Sequence, residues 1–252
     1  MNRENAIIYL VAAPDVNNTF DELKNSFGVE RSININKDLY IKTYSKISSH
    51  KNSVVFIAYS KTKKFYDLRW MSMDEPGFLD TTGKNYYESF ILNSELAFKT
   101  GAKKVLWVSH LCPFVTEEDI NFAFSNIGEK NMVLGPAKNK GIYLLGFTRE
   151  NLKILENFYL LKENLKDEIV EKIRKNRISY MEMEEKFIVK DDESLKVWVE
   201  SKDYISDFKK LSPDIGANLK EDKHKKKHKE KENAVNGNNN NQQNVSNSNP
   251  AV

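Results

Sequence analysis

"TGAKKVLWVSHLCPFVTEEDINFAF", residues 100–124, holds the pattern that decides how this chain folds. The run from Lys104 to His110 has the length and apolar content of a buried strand. Thr116 then precedes Glu117, Glu118 and Asp119, which is the order of a helix N-cap followed by first-turn acids. Ile120, Phe122 and Phe124 continue as the helix proper. A strand, a turn and a capped helix form the repeating unit of an α/β sheet.

Working outward, the same alternation recurs. "AIIYLVAA" (6–13) is a continuous apolar run, as a central strand covered on both faces requires. Thr19 or Asn18 can cap a short helix through Phe20, Leu23 and Phe27. "SVVFIAYS" (53–60) predicts a second buried strand. Apolar residues from Tyr86 to Phe98 keep a helical spacing that Gly101 would close as a C-cap. "VLGPAKNKGIYLLGF" (133–147) predicts a strand, a tight turn and a returning strand, with Lys138, Asn139 and Lys140 at its tip. Helices over 149–163 and 166–177, a short strand "KFIVK" (186–190) and a helix from about Asp192 to Leu211 complete the pattern. The expected fold is α/β, a three-layer sandwich around a mostly parallel sheet.

Composition separates the chain into two parts, an ordered domain over 1–211 and a disordered tail over 212–252. Between Lys220 and Glu232 seven lysines face four acids, and the residues beyond carry no charge. The whole chain sums to +3, so its basic excess belongs to this tail, and the remainder carries no general bias toward nucleic acid. The tail's own acids and its lack of interleaved aromatics argue against nucleic acid as well. A single cysteine, Cys112, rules out an internal disulfide and fits a reducing compartment. No stretch approaches the roughly 20 apolar residues of a membrane-spanning helix. The opening apolar run lacks the small-residue cleavage site of a secretion signal, since Asp15 and two asparagines follow it. The expected location is cytoplasmic.

Three features now fall in order: "AIIYLVAAP" at the start, the strand ending in Cys112-Pro113 with its capped helix, and the hairpin 132–147. Together they resemble a bacterial glycosyltransferase-like family, often labelled as arsenosugar-biosynthesis-type transferases, with the nucleotide-diphospho-sugar transferase fold. The resemblance covers roughly residues 5 to 200 and centres on Gly101–Phe147. It implies a nucleotide-sugar whose phosphates meet a basic first loop and a divalent cation held on carboxylates.

Position by position, this chain departs from that pattern. The family's Lys-Ala-Pro becomes Ala12, Ala13 and Pro14, and its Lys-Thr-Arg cluster falls on Phe20, Asp21 and Glu22. The acid before Cys-Pro is Leu111, adjoining His110. The hairpin's acid and Asp-Gly-Gly become Lys138, Asn139, Lys140 and Gly141. A later Asp-x-Asp-Thr-Pro falls on Ile188 to Asp192, with its second acid now Lys190 beside Asp191. Leucine cannot bind a cation, an amide oxygen binds it weakly, and lysine repels it. The resemblance therefore implies a divergent scaffold without a metal or cofactor, whose cleft (Ala13, Pro14, His110, Leu111, Asn139, Lys140, Gly141, Lys190, Asp191) is free to take another ligand, either a nucleotide-sugar or a protein partner. The alternative is a metal-independent transferase in which Lys138, Lys140 and Lys190 supply the phosphate countercharge.

Three other constellations carry less chemistry. His110 and Cys112 lie two apart and could form a thiolate–imidazole pair, although a buried cysteine commonly acts as a small hydrophobe. His224 and His228 have the i, i+4 spacing of metal ligands, but lysines surround them. Asp74, Glu75 and Asp80 follow "FYDLRW" (65–70), a predicted strand with a polar loop, and nothing in the sequence fixes their separation.

Overall fold

The structure is a computed structural model that describes residues 4–80, 83, 85–155, 158 and 163–201. The expected tail, with His224 and His228, lies outside the described residues. Seven strands form one sheet: β1 (Asn5–Ala12), β2 (Val54–Ser60), β3 (Leu79–Asp80), β4 (Lys104–Val108), β5 (Asn131–Pro136), β6 (Ile142–Phe147) and β7 (Ser179–Glu182). Their order is β3-β2-β1-β4-β6-β5-β7. All neighbours pair parallel except β6, which runs antiparallel to both β4 and β5. The carboxyl ends of β1, β2, β4 and β5 therefore share one edge of the sheet.

Helices cover both faces: α1 (Asp21–Phe27), α2 (Val29–Ser48), α3 (Tyr86–Lys99), α4 (Glu117–Asn126), α5 (Leu165–Lys175) and α6 (Asp192–Glu200). Alternation along β1 shows why a continuous apolar run was needed. Ala6, Ile8 and Leu10 join Phe90, Ala97 and Phe98 of α3 in one core, which continues through Phe147 to Leu165 and Ile169 of α5. On the opposite face, the Tyr9 hydroxyl donates to the Tyr40 carbonyl of α2 at 2.9 Å. Every residue from Ala6 to Leu10 is 3% exposed or less, so burial on both faces stabilises this strand. The central helix start is as expected. The Thr116 hydroxyl accepts from the Asp119 amide, and the Asp119 carboxylate accepts from the Thr116 amide, a complete capping box.

Other expectations shift. Neither Asn18 nor Thr19 caps α1, which begins at Asp21 without a side-chain cap. Their side chains instead donate to the Ala13 and Asp15 carbonyls, closing a short 3₁₀ turn at Val16–Asn18. The 20-residue α2 has no counterpart in the expected pattern. Residues 65–70 form an irregular segment with a bend and a turn rather than a strand. Where a helix over 149–163 is expected, a 3₁₀ turn at Leu152–Leu155 stands, and much of the remainder lies outside the described residues. "KFIVK" makes a single bridge, Lys186 to Ala137, and the edge strand is β7 instead. The last helix spans Asp192–Glu200, and its expected continuation to 211 lies outside the described residues.

Candidate functional site

The carboxyl edge of the sheet is where open α/β folds place their ligands, and the cleft candidates are distributed along it. β1 ends at Ala12, whose amide donates to the Tyr40 hydroxyl at 3.2 Å. The Ala13 amide donates to the Ser60 carbonyl, carrying the β1–β2 pairing one step further. Ala13 and Pro14 are both buried. The Asp15 carboxylate accepts from the Asn17 and Asn18 amides at 3.0 and 3.2 Å. The amides of Ala12, Ala13, Asp15, Asn17 and Asn18 are thus committed inside the chain. Asp21 and Glu22, where the resemblance implies a basic cluster, are exposed acids.

The second segment leaves β4. His110 is buried and stacks face to face on Tyr40, with ring centres 4.0 Å apart and an interplanar angle of 12°. Its Nδ1 has no hydrogen-bond partner among the described residues. Burial pushes the imidazole down to about 3, so the ring is neutral near pH 7. Trp70 approaches Tyr40 edge-on at 5.9 Å, and its indole N–H donates to the Tyr59 hydroxyl. The Leu111 side chain is buried, and its carbonyl accepts from the Val189 amide at 2.8 Å. Burial pushes the Cys112 thiol up to about 12. A thiolate–imidazolium pair needs the opposite shift of both groups, so His110 and Cys112 form core rather than a nucleophilic dyad.

The third segment is the β5–β6 turn. Asn139 Nδ2 donates to the Ile188 carbonyl at 2.7 Å while its Oδ1 accepts from the Ile188 amide at 3.1 Å. Both polar atoms of the side chain therefore serve one peptide unit, as a neighbouring strand would. The Lys138 amide donates to the Lys186 carbonyl at 2.9 Å, so the turn and segment 186–188 are stapled together. The Lys138 ammonium lies over the Phe187 ring at 5.5 Å. Lys140 has φ +71° and Gly141 φ +91°, so a lysine occupies the left-handed region that glycine normally fills.

Lys140 and Lys190 meet at one carboxylate. Glu163 accepts from Lys190 at 2.9 Å and from Lys140 at 3.2 Å. These bonds, with Lys190's the larger, hold the Glu163 carboxyl below its ordinary range. Asp191 is spent differently. Its Oδ1 accepts from the Ser194 amide at 2.8 Å and from the Ser194 hydroxyl, which caps the start of α6.

The edge does not fit the divalent cation that the resemblance implies. Leu111 offers an aliphatic side chain, Asn139 is consumed by Ile188, Asp191 is consumed by Ser194, and Lys190 brings positive charge. Among the described residues, no three His, Cys, Asp or Glu side chains converge. Asp74, Glu75 and Asp80 do not assemble a site either: Asp74 and Glu75 are exposed, and Asp80 pairs with Lys61 at 2.7 Å.

Tyr40 and Glu163 were not visible as site residues in the sequence. Tyr40 could have been found from the stripe Ile35, Leu39, Tyr40, Thr43 and Ile47 along α2. Glu163 has no such signal.

Comparisons with known proteins agree with this architecture. Residues 79–159 match a family described as "Uncharacterized protein conserved in bacteria (DUF2064)". A Desulfovibrio desulfuricans G20 protein, provisionally described as a nucleotide-diphospho-sugar transferase, superposes with a TM-score of 0.71 at 19% identity. The match covers 88% of this chain and 96% of that one. A nucleotidyl transferase from Methanothermobacter thermautotroptrophicus gives a TM-score of 0.55 at 9% identity, covering 77% of this chain and 95% of its own. A 4-diphosphocytidyl-2C-methyl-D-erythritol synthase gives 0.53 at 10% identity, over 79% and 97%. No curated protein shows a significant sequence match. The chain has the fold of the nucleotide-diphospho-sugar transferases and related nucleotidyltransferases.

Proposed function

We propose that this chain keeps the transferase scaffold as a binding domain and does not carry out metal-dependent sugar-nucleotide transfer. The observation that carries this reading is the commitment of both Asn139 side-chain atoms to the Ile188 peptide, at the position where the resemblance implies a cation-binding acid. The ordered domain over 1–211 would do the binding, and the tail over 212–252 would be a separate appendage. The single cysteine supports a cytoplasmic setting. No helix among the described residues is long and apolar enough to cross a membrane.

The test is a transfer and hydrolysis assay with a panel of nucleotide-sugars, with and without Mn²⁺. No Mn²⁺-dependent turnover is expected. Turnover that disappears in Asn139→Ala would overturn the reading. A second reading, a metal-independent transferase, is favoured only by the approach of Lys140 and Lys190 to a common point. Product formation in EDTA would select it.

A further inference from the structure

The two lysines and Glu163 form a charged cluster beside the β5–β6 turn, at the carboxyl edge of the sheet. Each ammonium has three donors, and one carboxylate receives a single bond from each. Among the described residues, the cluster therefore sets two cations against one carboxylate. Its geometry is held from below. The Asn139–Ile188 pair ties the turn to the segment that leads into Lys190, which fixes positions 140 and 190 relative to each other. The Lys190 amide is anchored in turn on the Ser194 hydroxyl at 3.1 Å.

The two lysines are unequal. The Lys190 side chain is 18% exposed, whereas those of Lys140 and Glu163 are 73% and 59% exposed. One cation is thus built into the wall, and the other two groups can exchange partners with solvent. Lys140 also holds a left-handed backbone, a conformation whose cost for a non-glycine residue marks positions worth examining for function. An ordinary turn would place glycine or asparagine there.

We infer that Lys140 and Lys190 form a metal-free seat for the phosphoryl group of a small molecule, with Glu163 as the resident carboxylate that the phosphate displaces. A phosphoryl group brings more charge and one more oxygen than a carboxylate, so it engages two ammonium groups more fully. Glu163 is exposed and lies outside the strands, two residues before α5, so an exchange of its partners breaks no sheet hydrogen bond. This inference rests on the binding-domain reading and names the ligand chemistry of that domain.

The experiment titrates the full chain with inorganic phosphate and, separately, with UDP, by calorimetry in EDTA at constant salt. Glu163→Gln is expected to tighten both ligands about fivefold, because two competing surface ion pairs are removed. The double variant Lys140→Gln/Lys190→Gln should weaken both at least about tenfold. Lys138→Gln, which removes a neighbouring charge that sits on Phe187, should leave both within about twofold. Equal response of phosphate and UDP assigns the site to the phosphoryl group. Unchanged affinity in Glu163→Gln, or a loss in Lys138→Gln equal to that of the double variant, overturns the inference. UDP binding untouched by the double variant overturns it too. Glu163→Gln keeps the test decisive if the double variant folds poorly. Because EDTA is present throughout, Mn²⁺-dependent turnover in the separate assay would defeat the binding-domain reading without altering this result.

Discussion

Two ends of the same sheet edge have taken different paths. Beside β1 and β4 the edge is filled by rings: Tyr40 covers the Ala12 amide, His110 stacks on Tyr40, and Trp70 meets Tyr40 edge-on. Beside the β5–β6 turn the edge remains polar, with two lysines on Glu163 and an asparagine holding a neighbouring peptide. The ring side has become core, where desolvation governs every group. The turn side has kept charge at the surface, where an exchange of partners costs little. Of the two, the second side carries the lysines of the proposed phosphoryl seat.

The largest test of this contrast is Tyr40→Ala. Removing a buried ring that supports His110 should cost about 3–5 kcal/mol in urea denaturation. Tyr40→Phe, which leaves the Ala12 amide unsatisfied, should cost about 1–3 kcal/mol. A loss well under 1 kcal/mol in Tyr40→Ala would mean that the ring side is not core.

Acid provides a second test. The folded His110 value of about 3 lies below the ordinary imidazole value of 6.5. Between those limits the unfolded chain binds a proton that the folded chain refuses. Stability from this group is therefore present in full above pH 6.5 and falls as pH drops through the window, by up to about 1.4 kcal/mol per pH unit. His110→Phe should flatten that slope, as read from urea midpoints across the range. An unchanged slope would show that the imidazole is open to solvent.

On the polar side, Asn139→Asp keeps an acceptor for the Ile188 amide but sets a carboxylate against the Ile188 carbonyl. The expected loss at pH 7 is about 1–3 kcal/mol, measured by chemical denaturation. A neutral outcome combined with Mn²⁺ binding would show that the turn still accommodates a cation. The smallest effect is expected for Lys140→Gly. Relief of the left-handed backbone should slightly exceed the added chain entropy, a gain of about 0.5 kcal/mol, visible as a small rise in melting temperature.

Much of the fold was legible because it depends on local pattern. β1, β2, β4 and the β5–β6 hairpin follow from apolar runs and turn residues, and α4 from Thr116 and the acids after it. α2 is hard to read because its buried face includes the polar residues Ser32, Asn36 and Thr43, which blur the apolar period of Ile35, Leu39, Tyr40 and Ile47. Residues 149–155 keep a pattern that suits a helix, but Leu152, Ile154 and Leu155 suit a buried 3₁₀ turn equally well. β7 was missed because an edge strand of four residues, mostly exposed, need not alternate. At the candidate site, the charge of each side chain was readable from residue identity. The partners were not. Asn139 and Ile188 lie 49 residues apart, and Tyr9 and Tyr40 lie 31 apart.

The sequence by itself determined which segments must be buried, where the central helix is capped, and that Leu111, Asn139 and Lys190 offer no carboxylate to a cation. Those properties depend on side-chain chemistry and short-range periodicity. The tertiary structure alone decided that Asn139 would serve a distant peptide, that His110 would be neutral beneath Tyr40, and that two lysines would share Glu163. Strand order and crossover set those distances, and desolvation then acts on whatever groups the fold has brought together.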